Sequence, residues 1–443
     1  MSAAMSLRVA LCLAMFCAAA SAHAQGVRLG AIVDMARESD AQYAAARAQA
    51  AAGREKLAQA LAGLRPSVNL THTIRRNRDG STAYDGSTGG YDAGSSALVF
   101  SQPLFRVANK LSADQAELQV QLTDQQLLFA EQDLLLRVAR AYFDVLQGGD
   151  ELGVARAQKD ALAQQLAQAK RGFEVGVTPI TDLNEAQARN DLAVAQEIAV
   201  RNELASRQRV LERSIARPLP ALARLNDAAS VALLNERQQD ELVDTASKNG
   251  LLVQIGRSAL QVADMEIRKR DAGHTPTLDF VASLSVNRGV SYTPSSGGND
   301  TRQASIGLEL GFPVYQGGAI SSRVREAIAE RQRIEQELLQ AERQALLDAQ
   351  QAQLGVQSGV ALTQALRQAV RSSESQVRSS ERGVQVGVRT RLDVLNAEQQ
   401  LYAARKDLAV ARYRTLVATL QLKAVAGVLT EADLRALDSL LGD

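Results

Sequence analysis

Two stretches of this chain carry the same short motif, and that duplication restricts the possible folds more than any other feature. Residues 171–187 read RGFEVGVTPITDLNEAQ and residues 382–398 read RGVQVGVRTRLDVLNAE. Aligned, they pair Arg171 with Arg382, Gly172 with Gly383, Gly176 with Gly387, Asp182 with Asp393 and Ala186 with Ala397, at a constant offset of 211 residues (382 − 171). Long Ala- and Leu-rich helical patterns flank both copies, so each is expected to be a tight turn reversing the chain between two helices. The repeat is wider than the turns. Pro66 before SVNL and Pro276 before TLDF lie 210 residues apart (276 − 66), and Pro103 with Pro313 and Asp34 with Asp244 keep that spacing. A unit of this length is far above the ~20–50 residues of a solenoid repeat. Two similar halves of one fold are expected, with both turns at the same end.

The first 24 residues read as an export signal. Arg8 supplies the basic start, Val9 to Ala20 is a short apolar run, and Ala22-His23-Ala24 is a cleavage pattern before Gln25. The run is too short to span a bilayer as a helix, which takes ~20 residues. Both cysteines, Cys12 and Cys17, fall inside it, and neither follows the small residue that lipid attachment requires. The mature chain is therefore expected to carry no thiol, no disulfide and no lipid anchor. A formal net charge of +1 gives no reason to expect a nucleic-acid partner. With no Trp and 4% aromatic residues, the chain suits closely packed helices better than a conventional globular core.

Each half then shows one order of elements. The first, residues 25–234, reads as a helix from about Leu29 to Leu64, a hairpin at 66–105, and a long helix from Val107 to about Glu174. A turn at 176–181, a shorter helix to about Ala216 and an irregular connector complete it. Gly148-Gly149 is the place where the long helix is expected to bend. The second half, residues 235–443, has a helix from about Gln239 to Arg270, a hairpin at 276–313 and a long helix from Ala319. A turn at 387–392, a last helix to about Ala426 and a short tail follow. The hairpin strands alternate. Val68, Leu70 and Ile74 oppose Ser67, Asn69, Thr71 and Thr73, with His72 interrupting the apolar side. Leu278, Phe280, Ala282, Leu284 and Val286 form one side of the third strand, and Ile306, Leu308, Leu310 and Phe312 one side of the fourth. Strands of ~10 residues with one apolar and one polar face match transmembrane β-strands, although a half-buried soluble sheet alternates too. The Gly/Ser loops hold nothing able to cover the apolar face. Four strands do not close a membrane barrel, and open edges are not tolerated in lipid, so several chains would have to pool their strands.

Helix, hairpin, long helix, turn and shorter helix, given twice behind an export signal, resemble the TolC family of bacterial outer-membrane export channels. The turn motifs VGVTPITDLNEAQ and VGVRTRLDVLNAEQQLYAARKDLAVARY are similar to that family's paired periplasmic turns, and the tail LTEADLRAL resembles the end of its channel domain. The resemblance covers essentially the whole mature chain. It implies an α+β membrane protein: a homotrimer with a twelve-stranded β-barrel shared between protomers and a helical tunnel through the periplasm. The implied partners are outer-membrane lipid, a periplasmic adaptor (a membrane fusion protein) and an inner-membrane ABC transporter or proton-driven pump. Docking with those two proteins would open the tunnel tip.

The resemblance also implies gate residues. Asp182 and Arg389 match positions that hold the closed tip together by charge-assisted hydrogen bonds. Asp393 matches a position in a ring of carboxylates. Val384 stands where the family's type member has a gating tyrosine and Asn396 where it has a second ring aspartate, so one latch and part of the ring are expected to be missing. From the residues alone, Thr390 and Asp393 have capping-box spacing, Pro179 suits a first helical position beside Gly176, and Asp182 falls in a helix's first turn. Capping and gating are compatible roles.

Enzyme motifs are missing. Beyond the leader the histidines are His72 and His274, and HExxH, GxSxG and the phosphate loop GxxxxGK[ST] do not occur. No cofactor or metal is expected, and the chain has no motif with which to power transport. Three readings stand: the exit duct of a type I secretion system, the outer component of a drug or metal efflux pump, and a non-conducting periplasmic coiled-coil scaffold.

Overall fold

Proline-free sequence with Ala, Leu, Gln and Arg throughout gives helices of unusual length. The computed structural model describes residues 26–82, 88–226, 234–291 and 300–442; the expected export signal lies outside the described residues. In chain order the elements are α1 (Leu29–Ser39), α2 (Ala41–Ala62), β1 (Ser67–Thr82), β2 (Thr88–Phe105), α3 (Val107–Glu174) and α4 (Ile180–Ile215). Then come α5 (Glu236–Asn249), α6 (Leu251–Asp271), a 3-10 turn at Ala272–His274, β3 (Thr277–Ser291), β4 (Thr301–Gly311), α7 (Ala319–Gln385), α8 (Arg391–Val425) and α9 (Glu431–Asp438). The longest are α3 with 68 residues and α7 with 67. Gly148-Gly149 does not interrupt α3. A Cβ on Gly148 would lie 3.1 Å from Leu204 Cδ1, so the missing side chain serves close packing on α4.

The helix expected in one piece at the start of each half is in fact two. The first breaks at Asp40 (ψ 118°) and the second at Gly250 (ψ 147°), and these positions are 210 residues apart (250 − 40). Both breaks keep the same closing bond, Asp40 N–H to Ala36 O and Gly250 N–H to Ala246 O. Asp40 makes its break with a side chain: Oδ1 accepts from the Tyr43 amide at 2.9 Å as an N-cap, and the guanidinium of Arg137 donates to both carboxylate oxygens. Gly250 makes its break with no side chain, because a Cβ there would sit 2.5 Å from Ala246 O and 3.1 Å from Val425 O. Hydrophobic periodicity ran through both points, so neither break was legible.

The chain divides into two compact units. Of the described residues, one unit takes those up to Ala46, those within Leu127–Val253 and those from Glu342 onward. Its largest core gathers Leu29, Ile32 and Val33 of α1, Leu134, Val138 and Tyr142 of α3, Leu211 and Ile215 of α4, Leu416 and Leu420 of α8 and Leu434 of α9. The Tyr142 hydroxyl donates to the Ala223 carbonyl (3.0 Å), satisfying the one polar atom that this ring takes into the core. Asp438 of α9 accepts from the Gly30 amide at the start of α1, a carboxylate at a positive helix end.

The other unit comprises Arg47–Gln126 and Gln254–Ala341 and contains the sheet. Its order is β1-β2-β3-β4, antiparallel throughout, with Leu70 opposite Leu98, Leu98 opposite Leu284, and Phe280 opposite Leu308. That register puts most apolar residues of the four strands on one face and most Ser, Thr, Asn and Glu on the other, with Val99 and Val281 on the polar side. The apolar face is bare: Leu70 and Ile306 are each 75% exposed. His72 and Ser96 face each other on it and bond at 2.8 Å, which satisfies the histidine that interrupts the pattern. On the polar face Asp279 is buried and takes a bidentate bond from Arg106, directly after β2. The strands have 16, 18, 15 and 11 residues, and three of them exceed the expected ~10 by extending into stretches that read as Gly/Ser loops. A backbone ladder needs no apolar side chains, which is why composition hid this extension. Among the described residues β1 and β4 are each paired along one side only.

Candidate functional site

The two duplicated turns close α3 and α7 with the same set of bonds. In the first, Gly176 N–H donates to Phe173 O (3.0 Å) and Val177 N–H to Gly172 O (2.9 Å). In the second, Gly387 N–H donates to Val384 O (3.1 Å) and Val388 N–H to Gly383 O (2.9 Å). This is the Schellman pattern, and it needs a left-handed residue at the corner. Gly176 and Gly387 supply it, both at φ +77°. The second glycine of each pair has another cause. A Cβ on Gly172 would lie 2.2 Å from Thr178 Oγ1, and one on Gly383 would lie 2.5 Å from Arg389 Cγ. Four matched glycines thus answer two requirements, one of backbone sign and one of space. Alanine at Gly176 or Gly387 is expected to cost about 1 kcal/mol locally. The readout is faster amide exchange confined to the turn and the adjoining helix ends; unchanged protection would show that the corner tolerates a side chain.

Beyond the corners the turns differ. Thr390 caps α8: its Oγ1 accepts from the Asp393 amide (3.2 Å), and its own amide donates back to Asp393 Oδ2 (2.8 Å). The reciprocal bonds form the expected capping box. Donation by the Thr390 amide and then the Thr390 hydroxyl holds the Asp393 carboxyl below its ordinary pKa, with a smaller contribution from the Arg389 charge. In the first turn Pro179 is itself the N-cap (φ −64°, ψ 152°) and not the first helical residue as expected. Proline has no N–H to return to Asp182, so no box closes there. Asp182 remains exposed in the first turn of α4, and among the described residues it has only a long contact from Thr181 Oγ1 (3.4 Å). The same aspartate, duplicated, is a cap in one copy and an uncommitted carboxylate in the other.

Both turns border one groove, lined by Gln165 and Ala169 of α3, Asp182 of α4, Val384 of α7 and Thr390 and Arg391 of α8. Arg389 stands just outside the helix; its only ion pair among the described residues is a 3.9 Å approach to Asp393. Val384 gives its carbonyl to the second turn and its side chain to the groove. Asn396 was expected only as a ring position, yet its Oδ1 accepts from Arg189 Nη2 of α4 at 3.0 Å. Nearby, Gln165 Nε2 donates to Glu398, and Leu162, Ala193 and Leu395 form a small buried cluster. Burial pushes the Glu398 carboxyl above its ordinary pKa, against the Gln165 bond. Arg189 and Gln165 escaped sequence reading because pairing partners more than two hundred residues apart leave no local signal. Among the described residues no group of three or more His, Cys, Asp or Glu is placed to hold a metal, and no helix is long and apolar enough to cross a membrane.

The comparisons with known proteins converge on one group. The family model described as outer membrane efflux protein matches residues 32–217 and 242–428. Its two stretches begin 210 residues apart (242 − 32) and end 211 apart (428 − 217), the offsets of the internal repeat. The outer membrane protein TolC of Vibrio cholerae is 31% identical over 406 residues, spanning 91% of this chain and 92% of the relative. The alkaline protease secretion protein AprF of Pseudomonas aeruginosa is 32% identical over 417 residues, spanning 90% and 84%. Among solved structures, the Campylobacter jejuni CmeC outer membrane channel superposes with a TM-score of 0.77 at 12% identity, covering 94% of this chain and 90% of that one. With a matching model over most of its length, twice-repeated turns and a sheet whose apolar face stands bare, this chain is a non-enzymatic outer-membrane channel protein and belongs to the outer membrane efflux protein family.

Proposed function

We propose that the chain is one subunit of a homotrimeric duct through which a type I secretion system passes unfolded polypeptide across the outer membrane. The observation that carries the duct reading is the sheet. A bare apolar face and two edges that have no partner among the described residues are stable in lipid only when other copies complete the barrel. Three copies would give twelve strands. The four-residue set Asp182, Arg389, Asp393 and Asn396, with Val384, forms the gate at the periplasmic tip. An adaptor and an inner-membrane transporter dock there and open it; with no nucleotide-binding motif of its own, the duct takes its energy from them. Protein export is favoured as the cargo class because AprF, with 32% identity, is named for protease secretion.

Deletion of the gene, with secreted-protein profile and drug susceptibility measured in the same strain, tests this. Loss of one or a few large secreted proteins with unchanged susceptibility is the expected result. Hypersensitivity to drugs or metals with an intact set of secreted proteins would overturn the secretion reading in favour of efflux.

A further inference from the structure

Among the positions beside the tip where the two halves differ in charge, the structure brings Glu185, Arg189 and Asn396 together. At the offset of 211 residues, Glu185 corresponds to Asn396 (396 − 185) and Arg189 to Gln400 (400 − 189). The first copy therefore has an ionic pair one helical turn apart, and the second has two amides. Arg189 donates to Glu185 Oε1 through Nη2 (2.8 Å) and Nε (3.2 Å), and the same Nη2 reaches Asn396 Oδ1 (3.0 Å). One guanidinium thus bonds both a carboxylate and the residue that stands at that carboxylate's position in the other half. Its side chain is 23% exposed. The contact is held in place by Leu162, Ala193 and Leu395, one residue before Asn396.

Asp393 and Asn396 are three residues apart on α8 and so share a face. We propose that Arg189 is a specificity-determining residue of the duct: it cancels the charge of Glu185 and keeps the level of Asn396 neutral, so ion selection at the tip rests on Asp393. This rests on the reading that the tip lines the conduction path. A carboxylate introduced at 396 would share a guanidinium that Glu185 already engages, so the three side chains would carry one net negative charge (−1 + 1 − 1). Removing the positive charge at 189 would uncover Glu185 and any acid at 396 together.

The test is a cycle of variants in the full-length channel reconstituted in planar bilayers, with reversal potentials read in a potassium chloride gradient. Asn396→Asp alone, which adds one net negative charge per chain, is expected to raise the potassium-to-chloride permeability ratio. Arg189→Gln, which keeps a donor towards Asn396, is expected to raise it. The double variant, with two net negative charges per chain, should raise it further than either single. An Asn396→Asp single as strong as the double would overturn the inference, because Arg189 would then screen nothing. Asp393→Ala is the control for the underlying reading. If it lowers the ratio while the cycle is flat, the inference alone fails. If it also changes nothing, the tip does not line the path and both fail.

Discussion

Asp182→Ala combined with Arg389→Ser is expected to raise the single-channel conductance of the resting channel several-fold. The structure supplies the reason these two side chains stand apart from their neighbours. Asp393 is committed to the α8 cap, and Asn396 to Arg189. Pro179 denies Asp182 a box, and among the described residues Arg389 makes only a 3.9 Å approach to Asp393. A cation beside a helix N-terminus is unfavourable unless an external acid balances it, and the exposed Asp182 carboxylate of a neighbouring copy would do so. In the proposed gate, cutting that link would free the tip to widen, and conductance would follow aperture. Val384 leaves no aromatic latch in reserve, so the effect of the double change should be large. Bilayer recordings at fixed voltage decide the matter. Conductance equal to that of the unmodified channel would leave Asp182 as a first-turn dipole partner and Arg389 as a solvated charge.

A second large effect is expected at Asp40. Its side chain is 7% exposed, caps α2 through the Tyr43 amide and takes two bonds from Arg137 of α3. Asp40→Ala removes a cap and leaves a guanidinium, itself a third exposed, without its main partner. The combined cost is about 2–3 kcal/mol, below that of a fully buried pair because water still reaches Arg137. Asp40→Asn keeps the cap acceptor and should lose only part of this. The bond from Arg137 holds the Asp40 carboxyl below its ordinary pKa. A depressed folded-state value means that the stabilisation is present above the usual carboxylate range and fades as pH falls through the lower folded value. The unfolding midpoint of Asp40→Ala should therefore lie well below that of the unmodified protein at neutral pH, and the gap should narrow in acid. A constant gap at all pH values would assign the effect to the cap alone.

Several expectations drawn from sequence met their structural counterparts closely, and the reasons are local. The glycines of the turns were legible because a left-handed corner admits almost nothing else, and the box at Thr390 because its spacing is a property of one helical turn. The alternation in the strands was legible because each side chain's face depends only on its parity. The breaks at Asp40 and Gly250 were not, since one arises from Arg137 across the core and the other from the Val425 carbonyl. The position of Pro179 was misjudged by one residue for a related reason: φ near −65° suits both the cap and the first helical position, and only ψ separates them.

By itself the sequence determined the duplication, the long helices, the paired corners and the two-faced strands, all of which follow from backbone sterics and periodicity within a few residues. Only the tertiary structure decided which of two equivalent aspartates stays uncommitted, that Asn396 is bonded by Arg189, and that the sheet keeps its apolar face bare. Those are outcomes of contact between segments as much as 207 residues apart, where hydrogen-bond distance and excluded volume choose among arrangements that local pattern leaves equal in energy.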